Sequence, residues 1–171
     1  LTTRWAFDAA LQFSPEIDRT TRSVLRARYS PGPFRTLAVS YRLARGANEY
    51  VDVGWQWPVY RGDVGANGRG DSPCRGSLYS VGRVNYSVKD SRVTDSLAGF
   101  EYDAGCWIGR VVAERISTGR SEATTRLLLQ LELIGLSRLG TNPLQVLKDN
   151  IPGYMLLREQ RSDPPPRAYS Q

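Results

Sequence analysis

Histidine is absent from this chain of 171 residues, which also contains one methionine and two cysteines. Without histidine, a catalytic site or a metal site that is built on imidazole is excluded. No run of about 18 apolar residues occurs, so the sequence predicts no transmembrane helix. A membrane β-barrel remains compatible with this sequence, because a barrel strand needs only about 9–11 residues to cross a bilayer.

The chain is basic, with a formal net charge of +6. Such a charge is one sign of a nucleic-acid partner. Here nearly all of the basic residues are arginines spread along the chain, without a basic cluster or an aromatic–basic platform. We therefore expect no nucleic-acid partner. The residues before Trp5 run directly into a strand pattern, so we expect the chain to be a piece of a longer protein.

Apolar and polar residues alternate along most of the chain. In the stretch Leu97–Arg115, two strands flank a turn at Asp103–Gly105, and each strand has an apolar face and a face that carries charge. The same period of two recurs in about eight segments, which predicts antiparallel strands joined by hairpins. Besides those two strands, the segments are Arg4–Phe13, Arg22–Tyr29, Thr36–Leu43, Tyr50–Trp57, Leu78–Val88 and Arg126–Ile134.

Three other stretches depart from this alternation. The glycine-rich stretch Pro58–Gly76 is predicted to be a loop. Asn142 and Pro143 suit the start of a short helix, in which Leu144, Leu147 and Ile151 recur at helical spacing. We thus predict barrel strands over residues 1–140, a short helix or turn over 141–157, and a disordered tail over 158–171, where three prolines are consecutive.

Alternation alone fits two architectures, a soluble barrel with its apolar face inside and a membrane barrel with its apolar face toward lipid. None of the apolar faces carries a formal charge, and their large aromatic residues would overfill a small interior. Aromatic residues also lie at strand ends, as in interfacial girdles. They are Trp5, Phe13, Tyr29, Trp57, Tyr102 and Trp107. The sequence therefore predicts an all-β fold, an antiparallel transmembrane β-barrel segment.

An ordered series of short motifs resembles the C-terminal barrel strands of the LPS-assembly protein LptD family. The series covers roughly residues 50 to 154, and the residues before it agree in architecture only. Its parts are Val53-Gly54-Trp55-Gln56-Trp57-Pro58, Ser80-Val81-Gly82, Asp95-Ser96-Leu97-Ala98-Gly99-Phe100-Glu101-Tyr102, Cys106 with Arg110-Val111 and Glu114-Arg115, Leu131-Glu132-Leu133-Ile134-Gly135-Leu136-Ser137, Leu139-Gly140-Thr141, and Ile151-Pro152-Gly153-Tyr154.

The resemblance implies a part of the outer-membrane translocon that assembles lipopolysaccharide at the cell surface, by transport and not by catalysis. Its implied partners are lipopolysaccharide, an LptE-like plug lipoprotein and a periplasmic transport bridge, which is reached through an N-terminal domain that this chain lacks. No cofactor and no metal are expected, and the implied location is the outer membrane.

In this family the last strand pairs with the first strand to form a lateral gate. The resemblance places that last strand at 126–137. The candidate gate residues are Arg126, Leu127, Leu129, Leu131 and Leu133.

The two cysteines are candidates for disulfides. Cys106 matches a family position that is bridged to the periplasmic N-terminal region, so an upstream partner is the favoured expectation for it. Cys74 lies in the predicted loop. Strand parity places both cysteines on the same side of the membrane, so pairing between them and an unpaired Cys74 are the alternatives.

The predicted loop also contains two Arg-Gly-Asp sequences, at residues 61–63 and 69–71. They motivate an alternative function, a small self-contained outer-membrane barrel with a structural or adhesion role. Chance occurrence in a glycine-rich loop is the simpler explanation. The carboxylates on the charged faces are expected to pair with arginines across strands, so no enzyme is expected. They are Asp8, Asp52, Asp95, Glu101, Glu114 and Glu132.

Overall fold

A computed structural model describes residues 4–14, 19–44, 46–61, 76–117, 122–133 and 137–157. These residues form one antiparallel sheet of nine strands, in which each strand lies beside its neighbours in sequence. The strands are β1 (Trp5–Ser14), β2 (Arg19–Gly32), β3 (Arg35–Ala44), β4 (Asn48–Arg61), β5 (Ser77–Ser87), β6 (Arg92–Asp103), β7 (Trp107–Ser117), β8 (Ala123–Leu133) and β9 (Ser137–Gly140). The predicted all-β antiparallel fold is confirmed, and β9 is one strand more than the eight expected.

The turns that the structure describes lie at the two ends of the sheet. Lys89 donates a hydrogen bond of 2.6 Å to the carbonyl oxygen of Ala47, so the β3–β4 and β5–β6 turns share one end, called here the Lys89 end. The β6–β7 turn lies at the opposite, Cys106 end. There the side chain of Asp103 accepts a hydrogen bond of 2.8 Å from the amide of Gly105, whose φ of 90° favours glycine.

Strand β4 continues past Pro58 to Arg61, so the prediction that the loop begins at Pro58 is wrong by four residues. The pairing between β4 and β5 shifts register between Pro58 and Tyr60. A bulge accommodates proline because the residue there need not donate to the ladder. The predicted loop from Gly62 to Arg75 lies outside the described residues.

The charged face of the sheet is largely buried along β4 to β8, whereas the charged residues of β1 to β3 on the same face are exposed. The apolar face is exposed. The exposed fractions of Gln56, Glu101 and Arg110 are 0, 0 and 2%, whereas Phe7 and Leu127 are each 60% exposed. A soluble barrel buries its apolar face. This arrangement is the reverse, as the membrane alternative predicts. We call the two faces the polar side and the apolar side.

The chain after β9 crosses the polar side of the sheet. It consists of helix α1 (Pro143–Asn150), a turn at Pro152-Gly153 and an irregular stretch to Leu157, and we call residues 143–157 the strap. Helix α1 starts at a proline, which suits the first helical position because no hydrogen bond is lost there. Among the described residues, no helix has the length and apolarity needed to cross a membrane.

The short helix expected within 141–157 is thus present. The predicted disordered tail, residues 158–171, lies outside the described residues and stays a prediction.

Candidate functional site at the sheet edge

The five predicted gate residues all belong to β8. Leu127, Leu129 and Leu131 point to the apolar side and are 60, 50 and 39% exposed. Arg126 binds Glu114 of β7 at 2.6 Å, and Leu133 is half-buried at the Cys106 end. Strand β8 therefore offers an uncharged leucine row to the outside, while its opposite face carries polar groups.

Strand β8 is not the last strand of the sheet, which corrects the expectation for the gate. The short strand β9 pairs with it over four residues, from Gln130 opposite Gly140 to Leu133 opposite Ser137. Thr141 extends this cover, because its hydroxyl accepts from the Leu129 amide and donates to the Leu129 carbonyl oxygen, both at 2.9 Å. Strand β9 is not predicted from the sequence, because four residues are too few to show an alternation of apolar and polar side chains.

The other half of the β8 edge is open. No described strand pairs with the outer edge of 123–128, toward the Lys89 end. The outer edge of β1 is equally without a described neighbour, since β1 pairs only with β2. Unpaired edges bind further strands readily, so both edges of this sheet are places where more barrel strands can attach.

A buried charge network supports β8 from the polar side. The Nε of Arg110 on β7 donates to Glu101 of β6, and its Nη1 donates to Glu132 of β8, each at 2.9 Å. The side chains of these three residues are at most 1% exposed. Gln130 also accepts from Arg110, at 3.4 Å. Because a buried guanidinium with two carboxylate partners fixes their geometry, the network ties β8 to β7 and β6.

The strap joins this same network. The hydroxyl of Tyr154 donates to Glu101 at 2.6 Å. The amide side chain of Gln56 donates to the Met155 carbonyl oxygen at 2.9 Å and accepts from the Met155 amide at 3.0 Å. Burial, together with the nearby charge of Glu101, raises the pKa of the Tyr154 hydroxyl above its usual value. The tyrosine therefore stays a hydrogen-bond donor at neutral pH.

An apolar cluster holds the strap against the sheet. Leu147 and Ile151 of the strap pack on Val81, Leu97 and Val112, and all five are at most 2% exposed. The sequence indicated the helical spacing of Leu147 and Ile151, but not their partners. The available signal was the presence of uncharged residues on the otherwise charged faces of three strands.

A second ion-pair group lies nearer the Lys89 end. Arg83 on β5 binds Asp52 of β4 and donates to the side chain of Asn150, at the end of α1. Its Nη1 lies 3.6 Å from Asp95 of β6. The predicted cross-strand pairing of carboxylates with arginines is thus confirmed for Asp52, Asp95, Glu101, Glu114 and Glu132. Within the described ranges, no three potential metal ligands converge on one point.

Cys106 is disulfide-bonded, in the turn at the Cys106 end. The other cysteine of the sequence, Cys74, lies outside the described residues. Ser77, the first residue of β5, is the register partner of Asp103, so the chain re-enters the sheet beside the Cys106 turn. The two Arg-Gly-Asp sequences also lie outside the described residues, apart from Arg61 at the end of β4.

Aromatic residues concentrate at the Cys106 end of the apolar side. Trp5 and Tyr29 pack with ring centroids 4.5 Å apart, and Tyr102 and Trp107 with centroids 5.3 Å apart. Trp57 of β4 lies at the same end and is 39% exposed. Aromatic girdles of this kind mark the level of the lipid headgroups. An outside whose charges, such as Glu49 and Arg115, lie only at the strand ends, together with a polar inside and an aromatic end, defines a segment of a transmembrane β-barrel.

Comparison with curated proteins identifies the family of this barrel. The chain is 49% identical over 166 residues to the LPS-assembly protein LptD of Albidiferax ferrireducens, an alignment that covers 94% of the chain. It is 48% identical over 174 residues to LptD of Paracidovorax citrulli, with 99% of the chain covered, and 46% identical over 164 residues to LptD of a Polaromonas species, with 94% covered.

The chain belongs to the LptD family. It spans about a fifth of the length of these relatives, since 20, 21 and 20% of their sequences are covered. No model of a known protein family matches the sequence.

Proposed function

We propose that this chain is the C-terminal part of an outer-membrane β-barrel that assembles lipopolysaccharide at the cell surface. The protein acts by transport and not by catalysis. The observation that carries the proposal is the reversed burial of the sheet, with Glu101 and Arg110 inside and the leucine row of β8 outside. The cargo is inferred from the relatives, which are named for LPS assembly and match over almost the whole chain.

The polar side then faces the lumen of the barrel. A lumen lined by carboxylates, arginines and amides suits a hydrophilic saccharide, while acyl chains stay with the apolar side. In this proposal an LptE-like plug lipoprotein occupies the rest of the lumen. A periplasmic bridge delivers lipopolysaccharide through an N-terminal domain outside this chain.

Strand β8 is the proposed lateral-gate strand, with β9 as its partial cover. Opening a seam between strands requires breaking the hydrogen bonds that close it, so the seam with the fewest bonds opens first. Strand β9 occupies the edge of β8 at residues 130–133, so the first barrel strand can pair only with 123–128, whereas β4 and β5 pair along eleven residues. The open edge at 123–128 is where the first strand of the full-length barrel attaches.

A crosslink across this seam tests the gate. Cysteines at Leu127 and at the facing residue of the first barrel strand of the full-length protein are joined by a disulfide, and lipopolysaccharide at the cell surface is measured. We expect export to stop, because the seam can no longer separate. The matched control joins Ala98 and Ala113, which are register partners on two interior strands and both exposed.

The control crosslink leaves export intact, because interior strands do not separate. The single Leu127→Cys variant, which forms no crosslink, also retains export. Continued export with a complete crosslink at the seam would remove the gate from the account.

A further inference from the structure

Three arginines on the polar side lack the carboxylate partners that Arg83 and Arg110 have. They are Arg26 and Arg28 on β2 and Arg42 on β3, and all three are exposed. None of them forms an ion pair or a side-chain hydrogen bond with any residue that the structure describes. Their charges are therefore available to a ligand.

The strand register brings these three guanidinium groups together. Arg26 is the partner of Ser40, and Arg42 follows two residues later on the same face. Arg28 lies on that face two residues after Arg26. Arg26 and Arg42 are thus diagonal neighbours, about 7–8 Å apart and within reach of one another's long side chains. Arg28 pairs with Ala38, so Arg26 lies between Arg28 and Arg42 on the polar side. Arg28 and Arg42 each lie close enough to Arg26 to repel its charge, so an anion bound between them stabilises the arrangement.

The three arginines line one cavity of about 320 Å³. Arg83 also lines it, and so do three carboxylates, from Asp8, Asp52 and Asp149. Asp52 is engaged by Arg83, and Asp149 accepts two hydrogen bonds from Gln145. Asp8, opposite Arg26 in the register, forms no ion pair with a described residue. The cavity thus holds one more positive than negative group.

The strap forms one wall of the cavity and positions Arg28. Asn150 and Pro152 line that wall. A Cβ added at Gly153, whose φ is 85°, would lie 3.0 Å from Cδ of Arg28 and 3.1 Å from the hydroxyl of Thr36. The glycine turn of the strap therefore fits closely against the arginine, and the site is shaped by the chain's own packing.

We infer that Arg26, Arg28 and Arg42 form a binding site for a phosphate-bearing ligand on the polar side of the sheet. Planar guanidinium groups donate paired hydrogen bonds to phosphate oxygens, which makes clustered arginines suited to this anion. The location of the site in a barrel lumen rests on the proposed function. The phosphates of a lipopolysaccharide headgroup and free inorganic phosphate share this chemistry.

Binding to the full-length protein with its plug lipoprotein, purified in detergent, tests the site. The probes are lipopolysaccharide, the same lipopolysaccharide after removal of its phosphates, and inorganic phosphate as a competitor. We expect the double variant Arg26→Gln/Arg42→Gln to bind phosphorylated lipopolysaccharide about tenfold more weakly or worse. The control Arg22→Gln removes the same charge from the same face of β2 outside the cavity, and its affinity stays within about twofold.

Further measurements distinguish the lipopolysaccharide headgroup from free phosphate as the ligand and check that the variants fold. If the double variant loses affinity for the phosphorylated lipopolysaccharide and not for the form without phosphates, the site binds the headgroup. If the double variant loses binding of inorganic phosphate and keeps binding of both lipopolysaccharides, the site binds the free ion. The variant Arg26→Lys/Arg42→Lys keeps the charge but not the planar fork, so it recovers binding in part. Heat-modifiable migration on a gel checks that each variant forms a closed barrel.

Two results would overturn the inference. One is equal binding of phosphorylated lipopolysaccharide and of inorganic phosphate by the double variant, the control and the original protein. The other is that the double variant binds both probes unchanged but no longer retains the plug lipoprotein. That result would show that these arginines pair with carboxylates of the plug. If arginine-dependent binding is found while the seam crosslink leaves export intact, the site stands and the proposed gate fails.

Discussion

Arg110 links three polar side chains of the sheet interior. It is 2% exposed and contacts Glu101, Gln130 and Glu132 on the two neighbouring strands. Removal of one member of a buried charge group leaves the others without compensation, which costs more than the group gains when complete. The stability of β8 therefore depends strongly on this side chain.

Replacement of Arg110 by methionine is expected to destabilise the full-length barrel by about 3–5 kcal/mol. Glu101 and Glu132 then remain buried as unpaired carboxylates. The measurement is urea-induced unfolding of the purified protein in detergent. Arg22→Met, on the polar side of β2 but exposed, is the matched control and shifts stability by no more than about 0.5 kcal/mol. Equal effects of the two substitutions would contradict the role given to Arg110.

The sequence predicted these residues only in part. Carboxylates such as Glu101 and Glu132 were expected to pair with arginines across strands, because alternation alone places them on the same face. The hydrogen bonds of Tyr154 and of Gln56 with Met155 were not predicted. They join residues far apart in sequence, and no local periodicity reports which part of the chain crosses the sheet.

Strand β9 is the element that decides how much of the β8 edge is open. Gly140 ends it with a φ of 103°, and a Cβ added there would lie 2.3 Å from the Leu129 carbonyl oxygen. A side chain cannot be accommodated without moving β9 away from β8. The cover of the edge thus depends on a glycine at this position.

Gly140→Ala is expected to release β9 and to expose the edge of β8. Amide hydrogen exchange of the full-length protein is the measurement, and we expect faster exchange at Leu129 and Leu131. Gly46→Ala is the control, because Gly46 has a similar φ of 80° but no atom within 4 Å of an added Cβ. It leaves exchange in β8 unchanged. Unchanged exchange in Gly140→Ala would show that β9 does not protect the edge.

The turn at the Cys106 end carries a second prediction at the scale of an element. Cys106 is disulfide-bonded, and the sequence holds one other cysteine, so we propose Cys74 as its partner in this chain. In Cys74→Ser, Cys106 is then expected to react with a maleimide under non-reducing conditions. Cys106→Ser is the reciprocal control and frees Cys74. A Cys106 that stays unreactive in Cys74→Ser of the full-length protein would instead support an upstream partner.

The strands themselves were largely predictable from the sequence. Their period of two is a local property, and each strand has a face whose central positions carry no charge. The short strand β9 and the continuation of β4 through Pro58 were not, because both depend on the neighbouring strand: β9 on the edge of β8, and Pro58 on a bulge opposite β5. The helical spacing indicated α1, but not the face of the sheet on which it docks.

At the scale of the whole molecule, the described sheet is open, with β1 at one edge and β9 at the other. Its polar side is covered in part by the strap, and its apolar side is uncovered. Lipid covers such a surface at a favourable free energy, whereas water does not. The central claim of the account is that the apolar side faces lipid.

Fluorescence quenching by brominated lipids along β8 tests this claim most directly. Single cysteines at successive positions of the full-length protein are labelled and reconstituted in bilayers that contain the brominated lipid. We predict strong quenching at Leu127, Leu129 and Leu131 and weak quenching at Leu128 and Gln130, a period of two that matches their exposure. Strong quenching at Leu128 and Gln130 with protection of Leu127 and Leu129, or no alternation at all, would contradict the account.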